Sequence, residues 1–147
     1  MSDRFRALRN IVAATLVLLA LQFELGITVI MSNPPSIPPV AFSDAAVRGA
    51  LDQAGGVIYP HAVLGGILAV AAIVNLVMAL RSGLRRVQVV GVLVFLCIAV
   101  AAGGGLVFVL SGFQNDSASH AMATNFLLSF ALLFLELYFI KPEPKAK

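Results

Sequence analysis

The sequence predicts an all-α fold, a single integral-membrane bundle of four helices running up, down, up and down across residues 1–147, with both termini cytoplasmic. Three observations predict it. The first is composition: 60% of the residues are hydrophobic and only 12% are charged, with a mean hydropathy of +0.98. A soluble domain carries about a quarter charged residues, so this chain cannot cover a water-facing surface. The second is a set of four apolar stretches of 19 to 24 residues. Each is long enough to cross about 30 Å of hydrocarbon at about 1.5 Å per residue. The third is charge placement. Nine of the ten basic residues (Arg4, Arg6, Arg9, Arg81, Arg85, Arg86, Lys141, Lys145 and Lys147) fall on the side of the termini, and only Arg48 falls on the other. That asymmetry is the positive-inside signal, and it accounts for the net charge of +3 without an anionic partner.

The first span is predicted over 11–31. It follows three arginines and resembles a signal sequence, but its apolar run is too long for a cleaved one, so it is read as a retained helix. An outer loop, 32–59, comes next. It opens with Asn33-Pro34-Pro35-Ser36-Ile37-Pro38-Pro39, where paired prolines deny helix and favour an extended path. Within the loop, Ser43 to Asp52 predicts a short amphipathic helix capped by Ser43 or Asp44. Its apolar face is Ala46, Val47, Ala50 and Leu51, and it is expected to lie on the membrane surface. Ala54-Gly55-Gly56 ends it.

The second span is predicted over 62–80, with Pro60 suited to a first helical turn. The basic turn Arg81-Ser82-Gly83-Leu84-Arg85-Arg86 leads to the third, 87–110, which carries Gly103-Gly104-Gly105. A short polar loop with Asp116 and Ser117 as helix starters precedes the fourth, 121–140, and a proline-broken basic tail follows. Short turns make successive spans antiparallel neighbours. Phe126, Phe130 and Phe134 recur every four residues and form one packing or lipid-facing stripe. The single cysteine, Cys97, excludes an intrachain disulfide and a cysteine metal cluster, and reads as a small packing residue. There is no phosphate loop, no nucleophile triad and no basic-aromatic patch, so nucleic acid is not an expected partner. The lipid bilayer is, in the plasma membrane.

Function must then come from polar groups in apolar surroundings, where ionisable residues are costly. These are Glu24, Asn75, Glu136, His61 and His120. The two histidines are the only ones in the chain. Each opens a span that runs inward from the outer face, so they lie at matching depth. The second and fourth spans are diagonal in an up-down bundle, about 11–14 Å apart when neighbours are about 8–10 Å apart. Two imidazoles reaching inward across that gap can ligate one iron, and haem b is the cofactor that fits. Gly65, one turn below His61, and Gly104 within the Gly103–Gly105 run give the macrocycle room. Two other readings stand beside this. Small residues also serve close helix packing, and interfacial histidines are tolerated where the headgroup zone is wet. Glu24 is read either as a third member of this outer cluster (partner to an imidazole N–H, proton acceptor, or ligand in a Glu-His-His metal site) or as a neutral carboxyl bonded to Gln22 or a neighbouring helix. Glu136, near the inner end, is expected to pair with Arg81, Arg85 or Arg86, and Asn75 to bond between helices.

With one histidine at the outer end of helices two and four and an outer loop before helix two, the chain resembles one four-helix half of haem A synthase. The separation of the two histidines, 59 residues, is similar to that family's. The resemblance implies His61 and His120 as axial ligands, and a role in electron transfer, haem handling or as a respiratory-complex subunit, with homodimerisation through free helix faces. The chain departs from the family in three places. Val57 and Ile58 stand where a glutamate precedes the helix-two histidine, Ala62 stands where an arginine follows it, and the outer loop has no cysteine pair. Two cofactor-free functions remain as alternatives: a structural or accessory membrane protein, and a small proton-linked transporter using Glu24 and Asn75.

Overall fold

A computed structural model describes residues 3–32 and 37–140. The start of the proline-rich loop, 33–36, and the C-terminal tail, 141–147, lie outside the described residues. Five helices follow in order: α1 (Asp3–Met31), α2 (Asp44–Ala54), α3 (Ile58–Leu80), α4 (Arg85–Leu110) and α5 (Asp116–Phe139). The four long ones, of 29, 23, 26 and 24 residues, are each long and apolar enough to cross a membrane. They extend beyond the predicted spans because polar residues continue the helices outside the apolar stretches. α1 takes in the basic segment before residue 11, and α3 starts before Pro60, which fits a first helical turn.

The four long helices close a ring. α1 packs on α3, α3 on α4, α4 on α5 and α5 on α1, and neither diagonal pair comes together along its backbone. Neighbours are antiparallel. Gln22, late in α1, meets His61, early in α3. Ala79, at the end of α3, faces Gly91, near the start of α4, and Gly104, late in α4, faces Ala118 and Met122, early in α5. One core runs through the end that holds the α3–α4 turn. Leu8, Val12, Ala79, Val87, Val94, Leu133 and Ile140 meet there, each almost wholly buried.

α2 forms as its sequence pattern predicts. Ser43 is the cap, its hydroxyl accepting from the Ala46 amide at 3.1 Å, while Asp44 bonds Arg48 at 3.1 Å. Its apolar face packs onto the bundle. Ala50 and Leu51 turn inward, and Leu51 joins Val29 and Ile58 in a small cluster at the opposite end of the bundle, flanked by Val109 and Phe113. The loop is seated beside it by backbone bonds from Ile37 to the Gly112 carbonyl (3.3 Å) and from Val40 to the Leu110 carbonyl (2.9 Å). Gly112 sits at φ +69°, and a Cβ there would run into the Ile37 carbonyl, so this seat requires glycine. The turn also holds Phe113 at φ 65°, its ring edge-on to Phe108 at 5.7 Å.

α5 is capped by Asn115, whose side chain accepts from the Ala118 amide at 3.0 Å, one residue before the predicted starters. The phenylalanine stripe is present. Phe126 stacks on Phe23 of α1 with centroids 5.2 Å apart, and Phe126, Phe130 and Phe134 follow one another at 6.0 and 5.1 Å. Cys97 is half-buried on α4.

Candidate functional site

Polar groups inside the ring fall into two places. Near the end that carries α2, Gln22 of α1 reaches His61 of α3. Its Nε2 lies 3.1 Å from the ring Nε2 and donates to the His61 backbone carbonyl, also at 3.1 Å. The imidazole rests against Gly26, where an added Cβ would sit 3.3 Å from the ring Cε1. Gly65 makes space for the Gln22 amide, at 3.4 Å from its own ideal Cβ position. Gln22 Oε1 and His61 Nδ1 are buried and have no hydrogen-bond partner among the described residues.

Toward the other end, Asn75 of α3 donates through Nδ2 to Glu136 Oε2 of α5 at 2.9 Å. Both residues are completely buried. This bond spans a diagonal of the ring that the backbones do not close. Gly91 of α4 lets it through, since its ideal Cβ position is 3.5 Å from Glu136 Oε1 and 2.5 Å from the Ala79 Cβ. Asn75 Oδ1 and Glu136 Oε1 are likewise without partners among the described residues. Among the described residues the other two fully buried polar side chains, Thr15 and Ser129, are satisfied locally by the carbonyls four residues earlier, at 2.8 and 2.7 Å.

The structure sorts the sequence-predicted site residues by helix face. From His61, steps of seven and eighteen residues return to one face of a helix and reach Leu68 and Ala79, exposed by 4% and 0%. From His120 the same steps reach Leu127 and Tyr138, exposed by 64% and 65%. His61 therefore lies on the core face of α3, whereas His120 is exposed and lies on the outer face of α5. The partner brought to His61 is Gln22. Glu24, two residues further along α1, is turned by about 200° and is exposed, away from the face that carries Gln22 to His61.

The glycines expected to leave room for a macrocycle are mostly filled by neighbouring helices. Gln22 approaches Gly65, while Met122 covers Gly104 and Gly105 at 3.1 and 3.3 Å from their ideal Cβ positions; Gly103 alone of that run has nothing within 4 Å. Glu136 does not pair with Arg81, Arg85 or Arg86 as expected. It points into the core, where Asn75 is its donor. Among the described residues no three His, Cys, Asp or Glu side chains gather into one group.

Sequence reasoning missed the Gln22–His61 pairing; it expected Asn75 to bond between helices, as it does, but not that Glu136 is its partner. A signal for that partner was present, because Glu136 shares its helical face with Ser129 and Leu133, and Asn75 shares one with Leu68 and Ala79. Comparison of the chain with family models, with curated proteins and with solved structures gave no match.

Proposed function

We propose that this chain is a cofactor-free, four-span protein of the plasma membrane with a structural or accessory role, and that both its termini face the cytoplasm. The observation that carries this reading is the opposed facing of the two histidines. His61 is held in the ring by Gln22, and His120 sits on the exposed face of α5. Two ligands of one iron inside the bundle would have to share an interior. Gln22 with His61 and Asn75 with Glu136 instead form helix-to-helix bonds, which in membranes replace the missing hydrophobic drive for association. The nine-to-one distribution of basic residues supports the orientation.

The test is an absorption spectrum of protein purified from haem-replete cells. A colourless, metal-free preparation is expected. A Soret band that disappears in both His61→Ala and His120→Ala overturns this reading in favour of a haem b protein of electron transfer or haem handling.

A proton-linked carrier is the second reading, favoured by one observation. Glu136 is an ionisable group buried at membrane depth with one carboxyl oxygen unpartnered among the described residues, and such residues mark proton and ion paths in membrane proteins. Here Glu136 takes the place that the sequence suggested for Glu24. Proton flux into vesicles that is lost in Glu136→Gln and kept in Glu24→Gln supports the carrier. Equal, background flux in all three proteins rejects it.

A further inference from the structure

At the end of the bundle that holds the α3–α4 turn, the first turn of α4 and the last turn of α5 frame an open cleft of about 330 Å³. Leu84, Arg85, Arg86, Val87, Tyr138 and Phe139 line it. A second cleft of about 410 Å³ shares Arg85, Arg86 and Phe139 and continues one turn along α4 over Val89 and Val90. The pair thus has a cationic mouth and an apolar continuation along α4, the direction in which the apolar part of that helix extends. Among the described residues neither arginine forms an ion pair with an acidic side chain, and the nearest carboxyl along α5, Glu136, is sealed in the core by Asn75. The Arg86 guanidinium lies over the Phe139 ring, 5.7 Å from its centroid. A guanidinium in such a place still carries the N–H fork that matches a phosphate.

We propose that this cleft binds one anionic phospholipid. Its phosphate sits between Arg85 and Arg86 and its first acyl carbons lie over Val89 and Phe139. A headgroup phosphate alone would use the cationic mouth and leave the apolar continuation uncovered. A neutral lipid would use the continuation and leave two arginines unpaired in the interfacial zone. Only a molecule with both parts matches both clefts. Tyr138, at the mouth, is placed as tyrosines are at the boundary between headgroups and hydrocarbon.

The test uses the full chain in bilayer nanodiscs of phosphatidylcholine with or without phosphatidylglycerol. Retained lipid is counted by native mass spectrometry after extraction, and thermal unfolding is followed in the same discs. The expected result is selective retention of one phosphatidylglycerol and a higher midpoint in its presence. Each arginine should contribute about fivefold to retention, the fold-change that corresponds to ~1 kcal/mol per basic residue near an anionic surface. Arg85→Gln/Arg86→Gln should therefore weaken retention about 25-fold, while Arg4→Gln/Arg9→Gln, with the same charge change at the same end, should leave it unaltered. Equal loss in the two double variants overturns the site, because a general surface field would then explain the binding. Equal retention of phosphatidylcholine overturns it as well. Inorganic phosphate that raises the midpoint as much as phosphatidylglycerol does would show a free-anion site and overturn the lipid assignment. These lipid and phosphate comparisons use the unaltered protein and decide the matter even if a variant fails to fold.

Discussion

At the scale of single residues, a buried polar side chain in this chain matters according to the partner it meets. Glu136 and Asn75 are the clearest case, a carboxyl and an amide with no exposed surface, joined at 2.9 Å across the ring. Asn75→Ala removes the donor and leaves the carboxyl oxygens of Glu136 unbonded. The expected cost is about 1–3 kcal/mol, the desolvation penalty of a buried group left unmade, measured as a lower unfolding midpoint in detergent or nanodiscs. Glu136→Gln keeps the shape and an acceptor oxygen for the Asn75 amide, and should stay within about 1 kcal/mol of the parent. If Glu136→Gln costs as much as Asn75→Ala, the ionised form of the carboxyl contributes something the hydrogen bond does not. The two histidines should behave unlike each other. His120→Ala removes an exposed side chain and should shift stability by no more than about 0.5 kcal/mol. His61→Ala takes away the ring that Gln22 and Gly26 hold, and should cost about 1 kcal/mol or more. Equal effects would refute the difference in facing.

At the scale of elements, the closeness of α3 and α4 rests on one missing methyl group. A Cβ at Gly91 would stand 2.5 Å from the Cβ of Ala79, well inside carbon contact distance. Gly91→Ala gains about 1 kcal/mol of helix propensity. The overpacking it forces costs about 1–3 kcal/mol, and contact this short belongs at the upper end of that range. A net loss of about 1–2 kcal/mol is therefore expected. The double variant Ala79→Gly/Gly91→Ala moves the methyl from one helix to the other and should recover more than half of that loss. Failure to recover would place the cost elsewhere, at the Glu136 carboxyl that also adjoins Gly91. α2 shows another dependence at this scale. Its cap and apolar face are local properties, but the end of α4 and the glycine turn after it decide where that face is buried. Gly112→Ala should unseat the loop from Ile37 onward and expose Leu51, seen as faster proteolysis between α1 and α3 while the four long helices keep their helical signal.

At the scale of the whole molecule, the orientation proposed from the distribution of basic residues can be tested directly. With Cys97 replaced by alanine, single cysteines at Ser82 and Gln53 should label from opposite sides of sealed inside-out and right-side-out vesicles, Ser82 from the cytoplasmic side. Labelling from the same side would break the four-span arrangement, and the reverse pattern would overturn the assigned orientation while keeping the spans. The four spans and the short amphipathic helix, with its cap narrowed to Ser43 or Asp44, could be read from the sequence, because they follow from local quantities: length, hydropathy, capping chemistry and helical period. That His61 and His120 each fall near the start of a long helix was legible for the same reason. Whether they face one another depends on the rotation of α3 and α5 about their own axes. That rotation is fixed by which faces pack best, through contacts such as Gly91 on Ala79 and Met122 on Gly104 and Gly105, between residues far apart in the chain.

What the sequence determined by itself is the class of object. Sixty per cent hydrophobic residues, four runs long enough to span and a one-sided distribution of arginine and lysine admit hardly any other solution, since a backbone in hydrocarbon must satisfy its own hydrogen bonds within each segment. What only the tertiary structure decided is which polar groups look inward and whom they meet: Gln22 rather than His120 beside His61, and Asn75 rather than an arginine beside Glu136. A residue step of one turns a side chain by about 100°. Composition and spacing therefore fix the depth of a group in the membrane, while its partner waits on the packing of helices against one another.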